Sequence, residues 1–219
     1  MLYFSKKNIA PMIRRHTKTP VIFGLEDGAA KESIGSDFLY VDHSYFRRDW
    51  QEEFFRLVRG NIHITRVIPN KKDRLPRMGV ELKDWRKGGR RVVVIDPSKR
   101  LTSFFGLPDD IAYRQAEELK QYTDREIFVK TGKKGLLEAL KDAWACVCPV
   151  SVAGVEAAVF GVPVFSSPNC PSYPISAGEL KDIEKPEYKD RFDWANSLCW
   201  SCWNWTEIGS IDYKAYQCE

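Results

Sequence analysis

The chain has 219 residues, 43% of them hydrophobic, and a formal net charge of +4, which suits one or two globular domains with a sizeable core. No stretch is long enough to span a bilayer and the N-terminal residues carry no signal-peptide pattern, so we expect no membrane span and a cytoplasmic location. The mild positive charge excludes neither nucleic acid nor phosphorylated ligands as partners.

The first 70 residues predict a small α/β layer. Short apolar runs predict strands at 1–5, 20–24 and 38–43, and an alternating run predicts a fourth strand at 61–68. A basic segment separates the first two predicted strands, and a turn follows the second. We therefore predict a reduced N-terminal α/β domain over residues 1–70.

Candidate acid–base residues follow two of these predicted strands. Asp42 and His43 end the third strand, and Glu26 and Asp27 follow the second. A carboxylate or an imidazole that faces a crevice can take a proton from an acceptor hydroxyl. Asp42 and His43 are therefore the candidate catalytic residues, and Glu26, Asp27 and Tyr45 are candidates for the acceptor side. The alternative is structural, with Asp42 capping the turn and His43 packing on an aromatic neighbour.

The second half of the chain has a different composition and a different pattern of predicted elements from the first. Residues 71–90 are rich in Lys, Arg, Asp, Pro and Gly and show little periodicity, which predicts a basic linker or hinge. Strand and helix patterns then alternate, which predicts a Rossmann-like domain over residues 91–190. Its predicted elements are strands at 91–95 and 126–130 and helices at 111–122 and 135–143.

The segment 145–165, ACVCPVSVAGVEAAVFGVPVF, predicts a strand–helix–strand unit. The predicted helix covers 153–160, and small residues would let it lie close to the sheet. Its first turn is expected to offer unpaired N–H groups to a phosphate, with Glu156 placed for a hydroxyl of a bound nucleotide. The alternative is a well-packed unit with one exposed glutamate.

Ligands of parallel α/β sheets bind outside the carboxyl ends of the strands. Hydroxyl and lysine side chains occur at several predicted strand ends and favour a diphosphate site there. The chain has no P-loop, and no GxGxxG follows the strand at 91–95. The candidate donor-binding residues are Ser98, Lys130, Ser151, Ala153, Gly154 and Glu156, with Ser166 and Ser167 at the same edge.

The remaining motif is a tryptophan-rich tail over residues 191–219 that contains Cys199 and Cys202. Its aromatic residues recur at helical spacing, which predicts a C-terminal helix with an apolar packing face. Stacking on an extruded base is the functional alternative. The six cysteines are interpreted as structural, because the CxxC lacks a second pair of ligands, and no metal site is predicted.

The pattern Ser151-x-x-Gly154-x-Glu156, followed by Gly161-Val-Pro163-Val, resembles the donor-binding motif of glycosyltransferases with the GT-B architecture. That resemblance implies two Rossmann-like domains that face a cleft, with a reduced N-terminal half here. It also implies that the serine and the helix start hold the diphosphate of a nucleotide sugar, most simply a UDP-sugar, and that Glu156 binds its ribose. The tail would then cross back to the first domain.

Other segments, among them YVDHSYF, VVVIDPSKR and the Trp-rich tail, resemble compact phage-type versions of this fold. Some of those enzymes transfer sugars to hydroxymethylated pyrimidines in phage DNA. The resemblance implies DNA as the acceptor. Asp42 or His43 would act as the base, and because a helix dipole and a lysine can offset the charge of the leaving group, no metal ion is required. The alternatives are a surface-polysaccharide glycosyltransferase and a non-catalytic module that binds nucleotide sugars or nucleic acid.

Overall fold

The computed structural model describes residues 9–25, 29–46, 54–132 and 135–213, and the chain divides into two compact units. Unit 1 comprises Met1–Ile64, Ile68–Val80 and Asn196–Glu219, whereas unit 2 comprises Thr65–Val67 and Glu81–Ala195. The class is α/β. In the part of the chain that the structure describes, no helix is long and apolar enough to cross a membrane.

Unit 2 is built on a four-stranded sheet in which every pair of neighbours is parallel. The strand order is β5-β4-β6-β7, with β4 at Arg91–Ile95, β5 at Glu126–Lys130, β6 at Ala143–Cys148 and β7 at Val164–Ser166. The strands predicted at 91–95 and 126–130 are confirmed to the residue. Central parallel strands are buried on both faces, which is why β4 reads as a continuous apolar run.

Helices follow the strands of unit 2 in alternation: α4 (Lys99–Phe105), α5 (Ile111–Leu119), α6 (Leu136–Leu140) and α7 (Ala153–Val159). One sheet face packs against α5, where Val92 and Val94 join Ala112, Ala116 and Leu119 in a buried cluster. The other face carries Cys148, whose Sγ lies against Gly154 of α7. This alternation is typical of a doubly wound sheet.

The strand order of unit 2 has one topological switch point. The chain passes from β4 to its neighbour β5 and then crosses to β6 on the other side of β4. Open α/β sheets bind ligands in the crevice at such a point, outside the carboxyl ends of the two flanking strands. The residues that follow these strands, Asp96–Ser98 after β4 and Pro149–Ser151 after β6, therefore define the candidate site.

Residues 81–90, within the predicted linker, belong to unit 2 and are hydrogen-bonded to the end of α7 and the residues after it. The N–H of Lys83 donates to the carbonyl of Val159 at 3.0 Å, and the N–H of Arg86 donates to that of Gly161 at 2.6 Å. Gly161 has a φ of +79°, and a Cβ there would approach the carbonyl oxygen of Asp84 closer than 3.0 Å. The Gly-Val-Pro step after α7 therefore requires glycine both for its backbone angle and for this contact.

Unit 1 has a mixed sheet of order β1-β2-β3-β8, with β1 at Val21–Phe23, β2 at Leu39–His43, β3 at Phe54–Arg59 and β8 at Cys202–Asn204. Only β1 and β2 run parallel; β3 is antiparallel to both of its neighbours. Parallel neighbours need a connection of roughly a dozen residues or more, and the segment 44–53 is shorter. Unit 1 thus departs from the parallel sheet that a second Rossmann-like half would have.

One strand predicted for unit 1 is wrong and another was missed. No strand covers 61–68; this segment is a loop, buried at 62–64 and exposed at 66–67, in which the N–H of Ile64 donates to the Tyr45 hydroxyl at 3.0 Å. The strand is β3 instead, which was not predicted because Arg56 interrupts its apolar run. Arg56 is nevertheless only 3% exposed, since it pairs with Asp42 on the adjacent strand. The strand predicted at 1–5 lies outside the described residues.

The tail is not a single helix. The helix α8 spans Phe192–Cys199, after which β8 pairs with β3 and a short α9 follows at Trp205–Ile208. Residues 196–219 belong to unit 1. The short helices α1 (Ile9–Arg14), α2 (Ala29–Glu32) and α3 (Arg74–Arg77) complete the regular structure described in that unit.

Arg74 of α3, within the predicted linker, contacts residues of the tryptophan-rich tail. Its guanidinium makes a bidentate ion pair with Glu207 at 2.5 and 2.6 Å and donates to the carbonyl of Cys202 at 2.7 Å. It also lies over the rings of Trp200 and Trp203. These contacts account for two of the tail's tryptophans as packing partners of a buried cation.

Candidate functional site

The switch point of unit 2 is flanked by two serine hydroxyls. Ser98 is exposed and caps α4, with its Oγ accepting the N–H of Leu101 at 3.4 Å. Ser151 is half-buried and accepts the N–H of Ala153 at 3.1 Å. In each case the hydroxyl acts as an acceptor towards the protein and keeps its own proton for donation. Both side chains can therefore donate to an anionic ligand at this edge.

The first turn of α7 differs from the prediction. The N–H groups of Ala153 and Gly154 bond to the side chain and the carbonyl of Ser151, and the next two N–H groups bond to the carbonyl of Val152 at 2.9 and 3.2 Å. The expectation of unpaired N–H groups is wrong for these four. A phosphate at this edge would therefore be held by side chains.

Gly154 serves packing in this structure. A Cβ at this position would lie closer than 3.0 Å to the Oγ of Ser172 and 3.2 Å from the Sγ of Cys148. The small residue thus allows the loop that follows β7 to lie directly on α7. Glu156 is half-buried and lies on the same seven-residue helix, within its first turn.

Lys130 ends β5 beside the switch point and is 8% exposed. Its ammonium donates to the carbonyls of Thr131 and Gly132 at 2.5 and 3.0 Å. Since an ammonium has three donors, one N–H is left after these two bonds. The lysine can therefore supply positive charge and one further hydrogen bond to a ligand.

Ser166 and Ser167, the other hydroxyls predicted at this edge, hold the loop that follows β7. The Oγ atoms of Ser166 and Ser172 are 2.6 Å apart, and the hydroxyl of Ser167 donates to the carbonyl of Pro149. The N–H of Ser166 also donates to the hydroxyl of Ser176 at 3.0 Å. These bonds fix residues 167–178 against the ends of β6 and β7.

The acid–base candidates belong to unit 1, where Asp42 is an ion-pair partner. Its Oδ2 accepts from Arg56 and from the Tyr40 hydroxyl, each at 2.9 Å, and its Oδ1 accepts the N–H of His43 at 2.7 Å. Burial raises the pKa of Asp42, but Arg56 and these hydrogen bonds outweigh it and hold the pKa below the ordinary range. A carboxylate stabilised in this way has a low proton affinity.

Asp42 and His43 point to opposite faces of the sheet, because successive side chains of a strand alternate. Asp42 shares its face with its cross-strand partner Arg56, and His43 lies opposite Phe55. Both side chains are half-buried. Only one of them can therefore face a given acceptor.

Of the three acceptor-side candidates, Tyr45 lies in the described part of the chain. Tyr45 is only 1% exposed, and its ring packs against the guanidinium of Arg56 with a separation of 5.2 Å. It therefore contributes to the core around the Asp42–Arg56 pair. Glu26 and Asp27 lie outside the described residues.

Sequence reasoning missed Arg56 and Ser172. A charged residue inside the apolar run FFRLVR was the available signal for Arg56, because such a residue is tolerated in a buried strand only when it is paired. Nothing local marks Ser172, which is 0% exposed and depends on a contact with Gly154 far away in the sequence.

Cys199 and Cys202 are buried in unit 1, and burial raises the pKa of both thiols. Among the described residues, no group of three or more His, Cys, Asp or Glu side chains could hold a metal ion. No protein-family model matches the chain, and no curated protein matches it either.

Proposed function

We propose that the chain is a GT-B-type glycosyltransferase that moves a sugar from a nucleotide-sugar donor to a hydroxyl acceptor. The observation that carries this proposal is the switch point of unit 2, which has Ser98 and Ser151 on its two sides and Glu156 on the helix that follows. Crevices of this kind bind nucleotides in doubly wound sheets. The acceptor we propose is a hydroxymethylated pyrimidine in DNA.

In the proposed reaction, unit 2 binds the donor. The hydroxyls of Ser98 and Ser151 donate to the diphosphate, Lys130 offsets its charge, and Glu156 accepts from the ribose hydroxyls. Fixed donors and a positive charge stabilise the departing nucleoside diphosphate without a metal ion. Glu156 follows Gly154 by two residues on α7. The close packing at Gly154 holds this helix in place and thereby sets the direction of the Glu156 side chain.

We assign the proton transfer to His43. Asp42 has a positioning role, because its Oδ1 accepts the backbone N–H of His43. Arg56 keeps Asp42 ionised and lowers its pKa, which weakens it as a base while leaving it a good hydrogen-bond acceptor. An imidazole titrates near neutral pH and is better matched to accept a hydroxyl proton there. The rate of His43→Ala should therefore fall most at neutral and higher pH, where an imidazole is unprotonated and can act as a base, and the pH dependence due to His43 should be lost. The rate of Asp42→Asn should retain the pH profile of the wild type.

The DNA acceptor derives from the motif resemblance and from the basic runs of the sequence at 6–18, 47–48, 71–77 and 86–91. Several arginines of those runs are engaged internally: Arg74 with Glu207, Arg86 with backbone carbonyls and Arg90 with Asp142. Phosphate contacts therefore fall to exposed lysines such as Lys87. A polysaccharide acceptor would need none of these charges, and its affinity would not fall steeply with salt.

The test is a donor and acceptor screen. The protein is incubated with UDP-sugars and duplex DNA that contains hydroxymethylcytosine, and the digested nucleosides are analysed by mass spectrometry. A sugar-sized mass gain on the modified base supports the proposal. A gain on a polysaccharide alone replaces the acceptor, and the absence of both nucleotide-sugar binding and transfer overturns the proposal.

Glu156→Ala gives a residue-level test of the donor site. Loss of a charge-assisted hydrogen bond is worth about 1.5–3 kcal/mol, so UDP-sugar affinity should fall roughly 10- to 100-fold. The matched control is Glu118→Ala, which removes an exposed glutamate from α5 in the same unit. Equal affinities for the two variants in titration calorimetry would contradict the ribose assignment.

A further inference from the structure

Two buried thiols lie beneath the candidate donor site. Cys148 ends β6, Cys170 belongs to the loop after β7, and their Sγ atoms are 3.5 Å apart. Both residues are 0% exposed and carry free thiols. Both sulfurs also contact the carbonyl oxygen of Ser151, at 3.5 and 3.3 Å. The proposed function uses neither thiol.

The surroundings make the two thiols chemically unequal. Cys170 also shares a hydrogen bond with the hydroxyl of Ser172, at 3.2 Å. Burial raises the pKa of Cys170, but its bonds with Cys148 and Ser172 outweigh burial and lower the pKa to about 6. Burial raises the pKa of Cys148. Because the thiolate is the reactive form, this pair combines a nucleophile with a neighbouring thiol that can resolve the product.

We propose that Cys148 and Cys170 are a redox-sensitive pair that a hydroperoxide converts into a reversible disulfide. With hydrogen peroxide, the Cys170 thiolate attacks one peroxide oxygen and the O–O bond breaks, so that a sulfenic acid forms and the leaving hydroxide takes the proton that the thiol released to give water. Cys148 Sγ then attacks Cys170 Sγ, the S–O bond breaks, and the leaving hydroxide takes the proton of Cys148 as a second water. Two thiols and one hydrogen peroxide thus give one disulfide and two waters.

The other described cysteines are not arranged for this reaction. Cys146 shares a strand face with Cys148, but burial raises the pKa of its thiol and it has no thiol within hydrogen-bond distance among the described contacts. Cys202 donates to the carbonyl of Leu198 at 3.3 Å, and burial raises the pKa of Cys199 as well. Cys146 and the Cys199–Cys202 pair therefore serve as internal comparisons.

The bond would act on the Ser151 turn. Forming it draws the sulfurs from 3.5 Å to about 2.05 Å, and removes the S–H of Cys148, which can donate to the carbonyl of Ser151. That carbonyl also accepts the N–H of Gly154 at the start of α7. Oxidation should therefore displace the turn that carries Ser151 and weaken donor binding; this second consequence rests on the proposed function.

The first experiment does not depend on any donor. The full chain is treated with hydrogen peroxide, alkylated under denaturing conditions and digested, and the peptides are analysed by mass spectrometry with and without dithiothreitol. A Cys148–Cys170 linkage that dithiothreitol removes is the expected result. The linkage should be absent from Cys148→Ser and Cys170→Ser and retained in Cys146→Ser. Because both sulfurs are buried, oxidation should proceed only as fast as the loop opens.

Two results would overturn the proposal that Cys148 and Cys170 form a disulfide. One is wild-type protein in which peroxide produces no Cys148–Cys170 peptide before the chain unfolds. The other is a Cys199–Cys202 linkage that forms faster, since burial raises the pKa of both of those thiols whereas the pKa of Cys170 is lowered. Both are read on wild-type protein, so the conclusion stands even if a cysteine variant fails to fold.

The second experiment measures the affinity for UDP, the part that all UDP-sugars share, in the reduced and oxidised protein by titration calorimetry. The oxidised form should bind roughly tenfold more weakly, the effect of about one lost hydrogen bond, and dithiothreitol should restore binding. Equal affinities would refute the coupling to the Ser151 turn. Absence of UDP binding in the reduced protein would instead refute the donor site, while the peptide result still decides on the disulfide.

Discussion

Replacing Gly154 with alanine separates two roles of this residue. The motif resemblance assigns Gly154 to the donor phosphate, whereas the structure shows the loop after β7 packed on its Cα. An alanine Cβ would lie closer than 3.0 Å to Ser172 Oγ and 3.2 Å from Cys148 Sγ. Ser172 cannot move away freely, because its hydroxyl bonds to Ser166 and Cys170. We expect Gly154→Ala to destabilise unit 2.

The magnitude follows from two opposing effects. Alanine is favoured over glycine inside a helix by about 0.8–1.0 kcal/mol, and the φ of Gly154 is not in the left-handed region, so its backbone adds no strain. Overpacking a tight contact costs about 1–3 kcal/mol. Because the Cβ would approach Ser172 Oγ closer than 3.0 Å, the overpacking cost lies in the upper part of this range, about 2–3 kcal/mol, and the net loss is about 1–2 kcal/mol. For a chain of this length Tm should fall by roughly 2–8 °C.

The assay is thermal unfolding of four proteins: wild type, Gly154→Ala, Ser172→Ala and the double variant. Because Ser172→Ala removes the nearest obstructing atom, Gly154→Ala should lose most of its cost in that background. Gly88→Ala is the matched control, since a Cβ there meets nothing within 4 Å, and it should leave Tm almost unchanged. Additive effects of the two substitutions, or an unchanged Tm in Gly154→Ala, would refute the packing argument.

Two further predictions concern buried ion pairs in unit 1. Arg74→Ala should cost about 3–5 kcal/mol in unfolding free energy, because it leaves the Glu207 carboxylate without its buried partner. The control is Arg77→Ala, which breaks an exposed ion pair 3.8 Å apart and should cost at most about 1 kcal/mol. Equal losses in the two variants would contradict this ranking. The folded pKa of Asp42 is depressed, so its contribution to stability is present above its unfolded pKa of about 3.9 and is lost as pH falls through the folded pKa. Acid unfolding should show the stability gap between wild type and Asp42→Asn closing in that range, and a gap independent of pH would exclude Asp42 as the titrating group.

The elements of unit 2 were largely predictable from local sequence. Its strands β4 and β5 are short runs bounded by polar residues, and the segment 145–165 does form a strand, a helix and a second strand. The central strand β4 is buried on both faces and is therefore apolar along its length, whereas the edge strand β5 alternates between exposed and half-buried residues over its first four positions, and the apolar residues of both are visible in the local sequence. The α/β class and the residues at the strand ends followed from the same pattern.

Unit 1 was less predictable because its sheet depends on distant partners. The strand β3 contains Arg56, whose burial is possible only beside Asp42. The strand β8 is three residues within a stretch that reads as helix, and it is extended because it pairs with β3. Local patterns carry no information about such partners, so the loop at 61–68, with its alternating residues, resembled a strand more closely than β3 did.

For the candidate site, the sequence by itself determined which side chains occur at the strand ends, namely Ser98, Lys130 and Ser151, and that Glu156 lies in the first turn of the helix after β6. These positions follow from periodicity, because a parallel sheet brings every carboxyl end to one edge. Only the tertiary structure decided which groups are already engaged: the N–H groups of α7 are internally bonded, Ser166 and Ser167 hold a loop, and Asp42 is paired with Arg56. The physical reason is that strand and helix patterns arise from neighbours in the chain, whereas hydrogen-bond partners, ion pairs and the space beside Gly154 come from residues that folding brings together.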